Sequence, residues 1–469
     1  MIIIILILGF ILRAINLNQS FWLDEAITAT IARDLTIGEI FSQYLPLDNH
    51  PPLYLLMINF LFSFLPNNEI VARLPSVIFG VLLIFLAYLL TKELFNKTIA
   101  DVASLLVATS PLLIYYSQEA RMYMLNALLV AAIILFFIKY LKNSNKNFLI
   151  PYTFLSILLI YTDYLPYLIF LVLNIAVLFY KKLNKWWVLS QIIIIVSFLP
   201  WLPLFIKQIF LGVSSRGVSE IFDLILGKFT YKSLPITLEK FTLGRIPIPE
   251  DYTAILIALP VILFLALTLK GFKETKEQNK LVLSLWIIIP LSLGLFLSFF
   301  IPVFQYFRFI FVLPPIYILI ALGIFSFKKV LKFIFLTVVI IINVLATFVY
   351  YLDPSLQRED WKGAIGWSLE NVGDGKILFA SSSPLPSYIW YRKYHPEAEG
   401  AFRGFYADSN DKQKVKLLIS KKGKILVYVY LQDITDPDRN LQKWIEEENF
   451  KKTGSNAFIG VGEVQIYEK

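Results

Sequence analysis

Residues 2–25 read IIIILILGFILRAINLNQSFWLDE, and this stretch decides the fold class. Its first part is apolar and long enough to cross a bilayer, and no small-residue cleavage site follows it, so we expect a retained first span. The stretch ends on two adjacent carboxylates, Asp24 and Glu25. Ionised side chains are costly to place at a membrane boundary, which makes this pair a candidate functional site.

The composition of the whole chain indicates a polytopic α-helical membrane protein. Of its 469 residues 57% are hydrophobic and only 16% are charged, whereas about a quarter of a soluble domain is charged. The chain has no cysteine and two histidines, His50 and His395, which excludes disulfides, iron–sulfur clusters and His-rich metal cages. The net charge is +9, but the 17 acidic residues after position 352 balance 17 basic ones. The excess therefore lies in the membrane part and does not indicate a nucleic-acid partner.

Hydropathy and flanking charge predict about eleven spans, near 2–17, 69–91, 98–116, 122–140, 148–162, 164–180, 186–206, 252–269, 281–301, 307–326 and 331–351. In this topology fifteen lysines and no arginine fall in the inner loops, as the positive-inside rule requires. The N-terminus is then cytoplasmic, and we expect the protein in the plasma membrane. Residues 51–65 are apolar but short and lie between Pro51-Pro52 and Pro66, which predicts an interfacial helix.

Six of the seven arginines of the membrane part are predicted on the outer side, namely Arg33, Arg73, Arg121, Arg216, Arg245 and Arg308. A guanidinium group is a rigid fork of donors that matches phosphate and carboxylate. The set therefore indicates an anionic ligand at the outer face. For Arg33, Arg216 and Arg245, pairing with lipid head groups or nearby acids is an equally good interpretation.

Two outer loops, residues 18–68 and 117–122, carry the remaining charges of interest. Asp24 stands at the start of a predicted helix, where a carboxylate commonly caps the first turn. Capping explains one carboxylate and leaves Glu25 unexplained. Glu119 and Arg121 lie between two long apolar spans and so must lie at the outer boundary. From spacing alone, a self-satisfied ion pair there is as good an interpretation as a binding site.

Five motifs occur in a fixed order: Trp22-Leu23-Asp24-Glu25, His50-Pro51-Pro52-Leu53-Tyr54, Ala72-Arg73-Leu74-Pro75-Ser76, Tyr116-Ser117-Gln118-Glu119-Ala120-Arg121-Met122-Tyr123 and Tyr306-Phe307-Arg308. Together they resemble the GT-C glycosyltransferases of the protein-mannosyltransferase-like group, which includes dolichyl-phosphate-mannose protein mannosyltransferases and the lipid A aminoarabinose transferase. The resemblance covers residues 1–350.

The resemblance implies an inverting hexosyl- or pentosyltransferase that moves a sugar from a polyprenyl-phosphate carrier to an acceptor hydroxyl. Asp24 and Glu25 fall on the catalytic acidic positions, and Asp24 is the expected base for the attacking hydroxyl. The lipid phosphate leaves readily and needs cationic stabilisation, for which Arg73, Arg121 and Arg308 are the candidates. The acceptor is a glycolipid, a glycan or a protein.

The same resemblance implies substrate contacts for four further residues of the motifs, His50, Tyr54, Glu119 and Tyr123, and Asp163 is expected to face the same cavity. Asp163 lies in a tight outer turn, where an aspartate is also a common turn residue. Oligosaccharyltransferases of the superfamily place a metal among these loops, so a divalent metal held by His50 with Glu119 or Asp24 is an alternative. The second loop lacks a DxD-type acidic pair, so we assign no metal ligand and no certain cofactor.

The fold expected is an all-α polytopic membrane domain of GT-C architecture over residues 1–351, followed by a small α/β soluble domain over 352–469 on the outer face. In the tail, helical patterns cover 361–371 and 438–449, and strand patterns cover 376–380 and 424–430. A long polar outer loop, residues 207–251, is a candidate acceptor-side or lipid-gate element.

Two other classes of protein share part of this pattern. A secondary transporter would also have many spans, but it should show internal repeats and acids deep within them, and the charges here cluster at the outer boundary. A polymerase or ligase of surface glycans would share the outer arginines. It would usually carry its chemistry in a large late loop, which leaves Asp24 and Glu25 unexplained.

Overall fold

The structure is a computed structural model that describes residues 1–214, 220–247, 254–392, 398–403, 411–420 and 422–469. Arg216, His395 and part of the predicted loop 207–251 lie outside these residues. The chain forms two compact units. The first comprises Met1–Leu17, Leu35–Pro66 and Ile70–Leu352, and the second comprises Asn18–Asp34, Asn67–Glu69 and Asp353–Lys469.

The helices up to residue 352 are, in order, α1 Ile2–Ala14, α2 Leu23–Asp34, α3 Ile37–Glu39, α4 Leu53–Phe62, α5 Glu69–Leu94, α6 Lys97–Thr109, α7 Pro111–Ser117, α8 Tyr123–Asn143, α9 Leu149–Ile160, α10 Leu168–Phe179, α11 Lys185–Phe198, α12 Leu202–Ser214, α13 Glu220–Leu226, α14 Ser233–Leu243, α15 Ala254–Glu274, α16 Glu277–Leu297, α17 Leu313–Phe325 and α18 Lys329–Leu352. Shorter 3-10 or π turns join several of them, including Ile40–Tyr44 and Tyr306–Val312.

The first unit is a bundle of apolar helices. Within the described residues, six segments are long and apolar enough to cross a bilayer: Glu69–Leu94, Tyr123–Asn143, Lys185–Leu211, Asn279–Leu297, Tyr306–Phe325 and Lys329–Leu352. The bent pair α6 and α7 makes a seventh. The protein is thus a multi-span membrane protein. The number eleven stays a prediction, because several predicted spans are shorter helices, such as α1 with 13 residues.

Close helix packing in this unit depends on small residues. A methyl group at Gly271 of α15 would lie 1.9 Å from the Leu319 carbonyl oxygen, and one at Gly323 of α17 would lie 2.2 Å from that of Leu267. The two backbones are therefore in direct contact, as glycine allows between membrane helices. The short helix predicted after Pro51-Pro52 is present as α4, with 10 residues. Its interfacial location stays a prediction.

The second unit is a three-layer α/β fold. Its later helices are α19 Trp361–Val372, α20 Pro386–Tyr391, α21 Asp411–Ile419, α22 Gln432–Thr435 and α23 Asn440–Glu447, and its strands are β1 Lys376–Phe379, β2 Ala398–Gly400, β3 Lys424–Tyr428, β4 Lys451–Phe458 and β5 Gly462–Glu468. The sheet order is β2-β1-β3-β5-β4, with β2, β1 and β3 parallel and β5 and β4 antiparallel.

Alternation along β1 and β3 separates two cores, because successive side chains point to opposite faces of a sheet. One core joins Ile377 and Phe379 to helices α19 and α20. The other joins Leu378 to helices α21 and α23. Leu23, on helix α2, packs against the first of these cores. The helix with the acidic pair therefore belongs to the α/β unit, although it lies near the start of the chain.

Candidate active site

The loop over residues 117–122 follows a sharp bend between α6 and α7. Ser110 interrupts the helix because its backbone is extended, and its hydroxyl accepts the N–H of Leu113 (3.5 Å) at the start of α7. The two helices are bent by 59°. Helix α7 ends at Ser117, and the turn that follows carries Glu119 and Arg121. The bend therefore determines where this turn lies in the first unit.

Gln118 anchors the turn to two helices. Its side-chain amide donates to the carbonyl oxygens of Ile15 (2.9 Å) and Leu12 (3.3 Å), at the end of α1. Its amide oxygen accepts a hydrogen bond from the hydroxyl of Tyr350 on α18 (2.8 Å). The side-chain amide of Gln118 thus supplies donors to carbonyl groups that lack them at the end of a helix. These bonds fix the position of Gln118, the residue just before Glu119.

Asp48, His50 and Arg121 form a polar chain that joins the segment before α4 to the turn after α7. The Nη2 atom of Arg121 lies 3.4 Å from Nε2 of His50, and Nδ1 of His50 lies 3.2 Å from Oδ1 of Asp48. Arginine can only donate, so Nε2 accepts and the hydrogen on Nδ1 remains for Asp48. The carboxylate thereby orients the imidazole ring, and the ring contacts the guanidinium.

The pKa of Asp48 reflects this arrangement. Burial would raise it, but attraction and a hydrogen bond from His50, attraction from Arg121 and the N–H of Asn49 together hold the pKa of Asp48 below its usual value. Asp48 is therefore ionised at neutral pH, and it supplies a fixed negative charge on the far side of His50.

A cavity of about 420 Å³ opens beside His50. Most of its wall is apolar, and a smaller part is polar. The apolar lining consists of Met122, Leu165, Leu168, Phe205, Ile209, Leu226, Leu297, Ile301, Pro302 and Val303, and the polar lining of Asn49, His50, Tyr123, Asp163, Tyr164, Gln208 and Arg308. Such a wall suits a ligand with a hydrocarbon part and a polar head.

The polar wall is held by hydrogen bonds. Asp163 accepts from the side-chain amide of Asn126 (2.9 Å) and from the N–H of Tyr164 (2.7 Å). The amide of Gln208 donates to the Leu45 carbonyl oxygen (2.8 Å). The hydroxyl of Tyr164 donates to Gln208. These contacts fix Asp163 at the cavity surface, so its role as a turn residue and its exposure to a ligand are compatible.

Two arginines lie near the same cavity or its aromatic border. Arg308 is half-buried, lines the cavity, and makes long bonds to the carbonyl oxygens of Pro302 (3.4 Å) and Val303 (3.5 Å). Arg245 stacks 5.0 Å above the ring of Tyr115 and donates to the hydroxyl of Tyr306 (2.9 Å). Arg245 is therefore held by aromatic groups, whereas Arg308 has weak protein partners.

Other predicted residues of this unit are buried next to the loop. Arg73 is 1% exposed and donates to the Leu17 carbonyl oxygen (2.9 Å), and it lies outside the described lining of the cavity. The hydroxyl of Tyr54 lies 3.0 Å from that of Ser76, which donates to the Arg121 carbonyl oxygen (3.3 Å).

Two members of the motif Tyr116 to Tyr123 differ in their surroundings. Glu119 is 1% exposed. Tyr123 lines the cavity, and its ring packs edge-on against Tyr116 and Phe307 at 5.3 and 5.2 Å. The structure thus brings His50, Tyr123, Asp163 and Arg308 to one cavity, with Arg121 adjacent to His50.

Asp24 and Glu25 stand in the first turn of α2, in the second unit. Glu25 is fully buried, and Asp24 is half-buried. The helix is fixed within its unit by Phe21, whose N–H donates to the hydroxyl of Tyr391 (2.7 Å) and whose ring packs edge-on against Trp390 (5.2 Å).

Glu359 is a carboxyl group that lies close enough to Asp24 to be repelled by its charge. It accepts hydrogen bonds from Nε1 of Trp361 (2.7 Å), from the hydroxyl of Tyr430 (2.9 Å) and from the N–H of Leu23. Burial, helped by repulsion from Asp24, raises the pKa of Glu359 to about 7 despite these donors. The first turn of α2 is thus held by a carboxyl group that titrates near neutral pH.

A metal cage does not assemble from the described residues. Within them, no three side chains of His, Asp or Glu come together in a way that could hold a metal ion. His50 pairs with Asp48 rather than with a second and third ligand.

Several residues of this site were not predicted from the sequence. Asp48 stands two residues before His50 but belongs to no motif, and Gln208 becomes a neighbour of His50 only through tertiary packing. Asn126 lies one helical turn beyond the motif that ends at Tyr123, and that spacing could have suggested it. In the second unit, Glu359 was not predicted either; it stands in the run Arg358-Glu359-Asp360-Trp361, shortly after the last predicted span.

Comparisons with known proteins agree with this architecture. A family model described as dolichyl-phosphate-mannose-protein mannosyltransferase matches residues 49–203, less than half of the chain. The matched segment includes His50, Arg73, Arg121 and Asp163. A search of curated protein sequences found no significant match.

Similar solved structures span nearly the whole chain. ArnT from Cupriavidus metallidurans bound to undecaprenyl phosphate matches with a TM-score of 0.60 at 11% identity, over 99% of this chain and 96% of ArnT. The Archaeoglobus fulgidus oligosaccharyltransferase in complex with Zn and sulfate matches with a TM-score of 0.57 at 13% identity, over 92% of this chain and 68% of that one. The arabinofuranosyltransferase AftD from Mycobacteria matches with a TM-score of 0.51 at 14% identity, over 100% of this chain and 41% of that one.

These matches define the class of fold. The chain has the fold of the GT-C glycosyltransferases, which confirms the resemblance predicted from the five motifs. Within that fold, the segment 49–203 is the part that also matches the protein-mannosyltransferase family model.

Proposed function

We propose that this protein is an integral-membrane glycosyltransferase that moves a sugar from a polyprenyl-phosphate carrier to an acceptor hydroxyl with inversion. The observation that carries the proposal is the cavity beside His50, which combines a mostly apolar wall with a cationic and hydrogen-bonding part. A polyprenyl-phosphate sugar has the same two parts. ArnT, which shares the fold, was determined with undecaprenyl phosphate.

The cationic groups near the cavity suit the donor phosphate. Arg308 offers a guanidinium whose bonds to protein carbonyls are long, so a phosphate can replace them at small cost. His50, which lines the cavity, has the guanidinium of Arg121 next to its Nε2 atom. As charge develops on the leaving phosphate, the guanidinium groups of Arg308 and Arg121 stabilise it. Arg73, which is buried against the Leu17 carbonyl, supports this role less directly than Arg121 and Arg308 do.

The reaction proposed is a single displacement. The acceptor oxygen attacks the anomeric carbon while the carboxylate of Asp24 removes the hydroxyl proton. The bond between that carbon and the phosphate oxygen breaks, and polyprenyl phosphate leaves with the electron pair. Support for Asp24 as the base comes from its motif and from its half-buried position at the start of α2, where it can be both held and reached. Glu25 is assigned to the same catalytic region on the motif alone.

The sugar recognised is a hexose or pentose, and the proposed contacts to it are the remaining polar groups of the cavity. Asp163 and Tyr123 line the wall, and Asp163 can accept hydrogen bonds from sugar hydroxyls. We place the reaction at the outer face of the plasma membrane, with the N-terminus in the cytoplasm and the α/β region outside. The sorting of lysines and arginines along the sequence supports this orientation.

Transfer from a defined donor tests the proposal. Mass spectrometry of the lipid that copurifies with the protein identifies the carrier and its sugar, and that donor is then offered in proteoliposomes with glycolipid, glycan and peptide acceptors. We expect transfer by the wild type and a loss of at least about a hundredfold for Asp24→Asn. Asp34→Asn, at the exposed end of the same helix, is the matched control and should stay active.

Two outcomes would contradict the proposal. Wild-type rates in Asp24→Asn would remove Asp24 as the base. Uptake of free substrate into liposomes without formation of a glycosidic bond would replace the enzyme by a transporter. A product that grows by repeated addition of the same unit would instead identify a surface-glycan polymerase.

A further inference from the structure

Arg13 is a charged residue inside the first apolar helix. It stands in the last turn of α1 and is fully buried. An ionised side chain in such a position is costly unless hydrogen bonds replace its hydration. Arg13 lies in none of the five motifs and has no role in the proposed reaction. The hydrogen-bond partners of its side chain therefore have to account for its position in the helix.

Two of those partners are carbonyl groups at the bend between α6 and α7. The Nη2 atom of Arg13 donates to the Val107 carbonyl oxygen (3.1 Å), and Nη1 donates to that of Ala108 (2.9 Å). In a continuous helix, the N–H of residue 111 would bond to the carbonyl of Val107. Proline has no N–H, so Pro111 leaves that carbonyl without its helical donor. Arg13 supplies the missing donor from another helix.

The charge of Arg13 adds to this effect. The last carbonyls of a helix carry a partial negative charge, and a cation next to them is favourable. The planar guanidinium reaches two of these carbonyls at once, which a lysine ammonium does less well because its donors are not held in a fork. Arg13 thus caps α6, because it donates hydrogen bonds to carbonyl groups at the end of the helix and places a positive charge beside them.

Arg13 also contacts the far side of the bend. Its Nε atom donates to the hydroxyl of Ser117 (3.1 Å), the last residue of α7. The same guanidinium therefore touches the end of α6 and the end of α7, and it holds the two helices at their angle. The next residues along the chain are Gln118, Glu119 and Arg121.

Two glycines make room for this contact. A methyl group on Gly80 of α5 would lie 2.2 Å from the Ser117 hydroxyl and 2.8 Å from Nε of Arg13. A methyl group on Gly9 of α1 would lie 2.2 Å from Ile84, and the Gly9 carbonyl oxygen accepts from Nη1 of Arg13 (3.1 Å). Backbone and side-chain groups of four helices, α1, α5, α6 and α7, are thus arranged around one guanidinium.

We propose that Arg13 is a positioning residue for the turn that carries Glu119 and Arg121. It fixes the bend between α6 and α7, and the bend places Arg121 beside His50, where it contributes to the donor-phosphate site. This inference rests on the proposed function, because it assigns Arg13 a part in donor binding through Arg121.

The test compares variants by their affinity for undecaprenyl phosphate and by donor KM and kcat. Arg13→Lys keeps the charge but loses the fork, and Gly80→Ala crowds the contact with Ser117. We expect each to weaken binding of undecaprenyl phosphate by about tenfold or more, in proportion to the misplacement of the turn. Gly38→Ala is the matched glycine control, because no heavy atom lies within 4 Å of the added methyl group.

A third variant covers the case in which Arg13→Lys does not fold. Ser117→Ala removes the hydroxyl that accepts from Nε of Arg13 and donates to the Leu113 carbonyl oxygen. We expect a rise in donor KM of about threefold to tenfold, with a smaller loss of stability than in Arg13→Lys. Wild-type affinity in a folded Arg13→Lys protein, or in Ser117→Ala if that is the variant available, would overturn the inference. A wild type that binds no undecaprenyl phosphate would instead overturn the proposed function, so the two failures are distinguishable.

Discussion

Arg13 and Arg308 both donate to backbone carbonyl oxygens, yet their surroundings differ. Arg13 is fully buried, and its bonds to Val107 and Ala108 measure 3.1 and 2.9 Å. Arg308 is half-buried at a cavity wall, and its bonds to Pro302 and Val303 measure 3.4 and 3.5 Å. The guanidinium of Arg13 thus bonds to protein groups in a buried place, whereas the guanidinium of Arg308 faces a cavity and has donors that can bind a ligand.

This difference distinguishes an arginine that stabilises the fold from an arginine that can bind a ligand. Both arginines stand near helix ends in a membrane domain, so position along the sequence does not distinguish them. Hydrogen-bond length and access to a cavity do. Removal of Arg13 should therefore act on folding and on the geometry of the turn, and removal of Arg308 should act on the ligand.

Arg308→Ala is expected to give the largest effect on activity. The guanidinium faces the cavity, and loss of one preorganised cation near a leaving phosphate costs about a hundredfold to a thousandfold in kcat/KM. The free energy of unfolding should stay within about 0.5 kcal/mol of wild type, because the lost bonds are long. Steady-state kinetics with the identified donor and detergent unfolding measure both. Arg403→Ala, an exposed arginine of the second unit, is the control, and equal kinetics in the two variants would contradict the role of Arg308.

Arg13→Ala should show the opposite balance. The carbonyls of Val107 and Ala108 lose their donors in a buried place, at about 1–3 kcal/mol each, so we expect the free energy of unfolding to fall by about 4 kcal/mol. Reversible unfolding in mixed micelles measures the change. A variant as stable as Arg308→Ala would show that the two arginines do not differ in the way that their bond lengths indicate.

Glu359 extends the comparison to a buried carboxyl group. Its pKa is raised to about 7 in the folded chain, compared with about 4.3 in an unfolded one. The folded state thus binds this proton more tightly, so the stabilisation is complete below pH 4 and is lost as the pH rises through 7. The shift corresponds to about 4 kcal/mol. Unfolding followed by tryptophan fluorescence between pH 5 and 8 should show this slope.

Glu359→Gln is the control for that titration. The amide keeps the size of the side chain and cannot ionise in this range, so stability should depend less on pH than in the wild type. Parallel pH profiles for the two proteins would assign the titration to another group. Asp24 and Tyr430 are the other ionisable groups that face this carboxyl group.

Arg245→Lys should give the smallest effect. The stacking on Tyr115 is worth about 0.5–1 kcal/mol at an exposed site, and a lysine keeps the charge. We expect a change in donor KM of less than about threefold, measured beside Arg308→Ala. A hundredfold change would place Arg245 with Arg308 as a ligand-binding arginine rather than an aromatic-bound one.

Much of the local structure could be predicted from the sequence. The helix predicted over 361–371 is α19, and the strands predicted over 376–380 and 424–430 are β1 and β3, each within about two residues. Periodicity and turn residues carry that information. The hairpin of β4 and β5 was not predicted, because β4 is mostly exposed and has too few apolar residues for an alternating pattern.

The site could be predicted only in part. Motif order brought together His50, Tyr123 and Arg308, and the turn at 161–164 suggested Asp163; all four line one cavity. Motif order also grouped Arg73 with Arg121 and Arg308 as candidates for the donor phosphate. Arg73 is buried and donates to a backbone carbonyl, and its proposed role stays a prediction. Sequence spacing does not show whether a guanidinium donates to a backbone carbonyl or faces a cavity. That depends on which helices pack together.

The hydrogen bond that Arg13 donates at the bend between α6 and α7 has a consequence for the substitutions that this sequence can accept. Pro111 removes a hydrogen-bond donor from its own helix, and Arg13 returns one from a distant part of the chain. As long as Pro111 is present, the Val107 carbonyl oxygen depends on Arg13 for a donor, so we expect the two positions to be inherited as a pair. A homologue with an N–H at position 111 would depend less on Arg13, because the Val107 carbonyl would regain its helical donor.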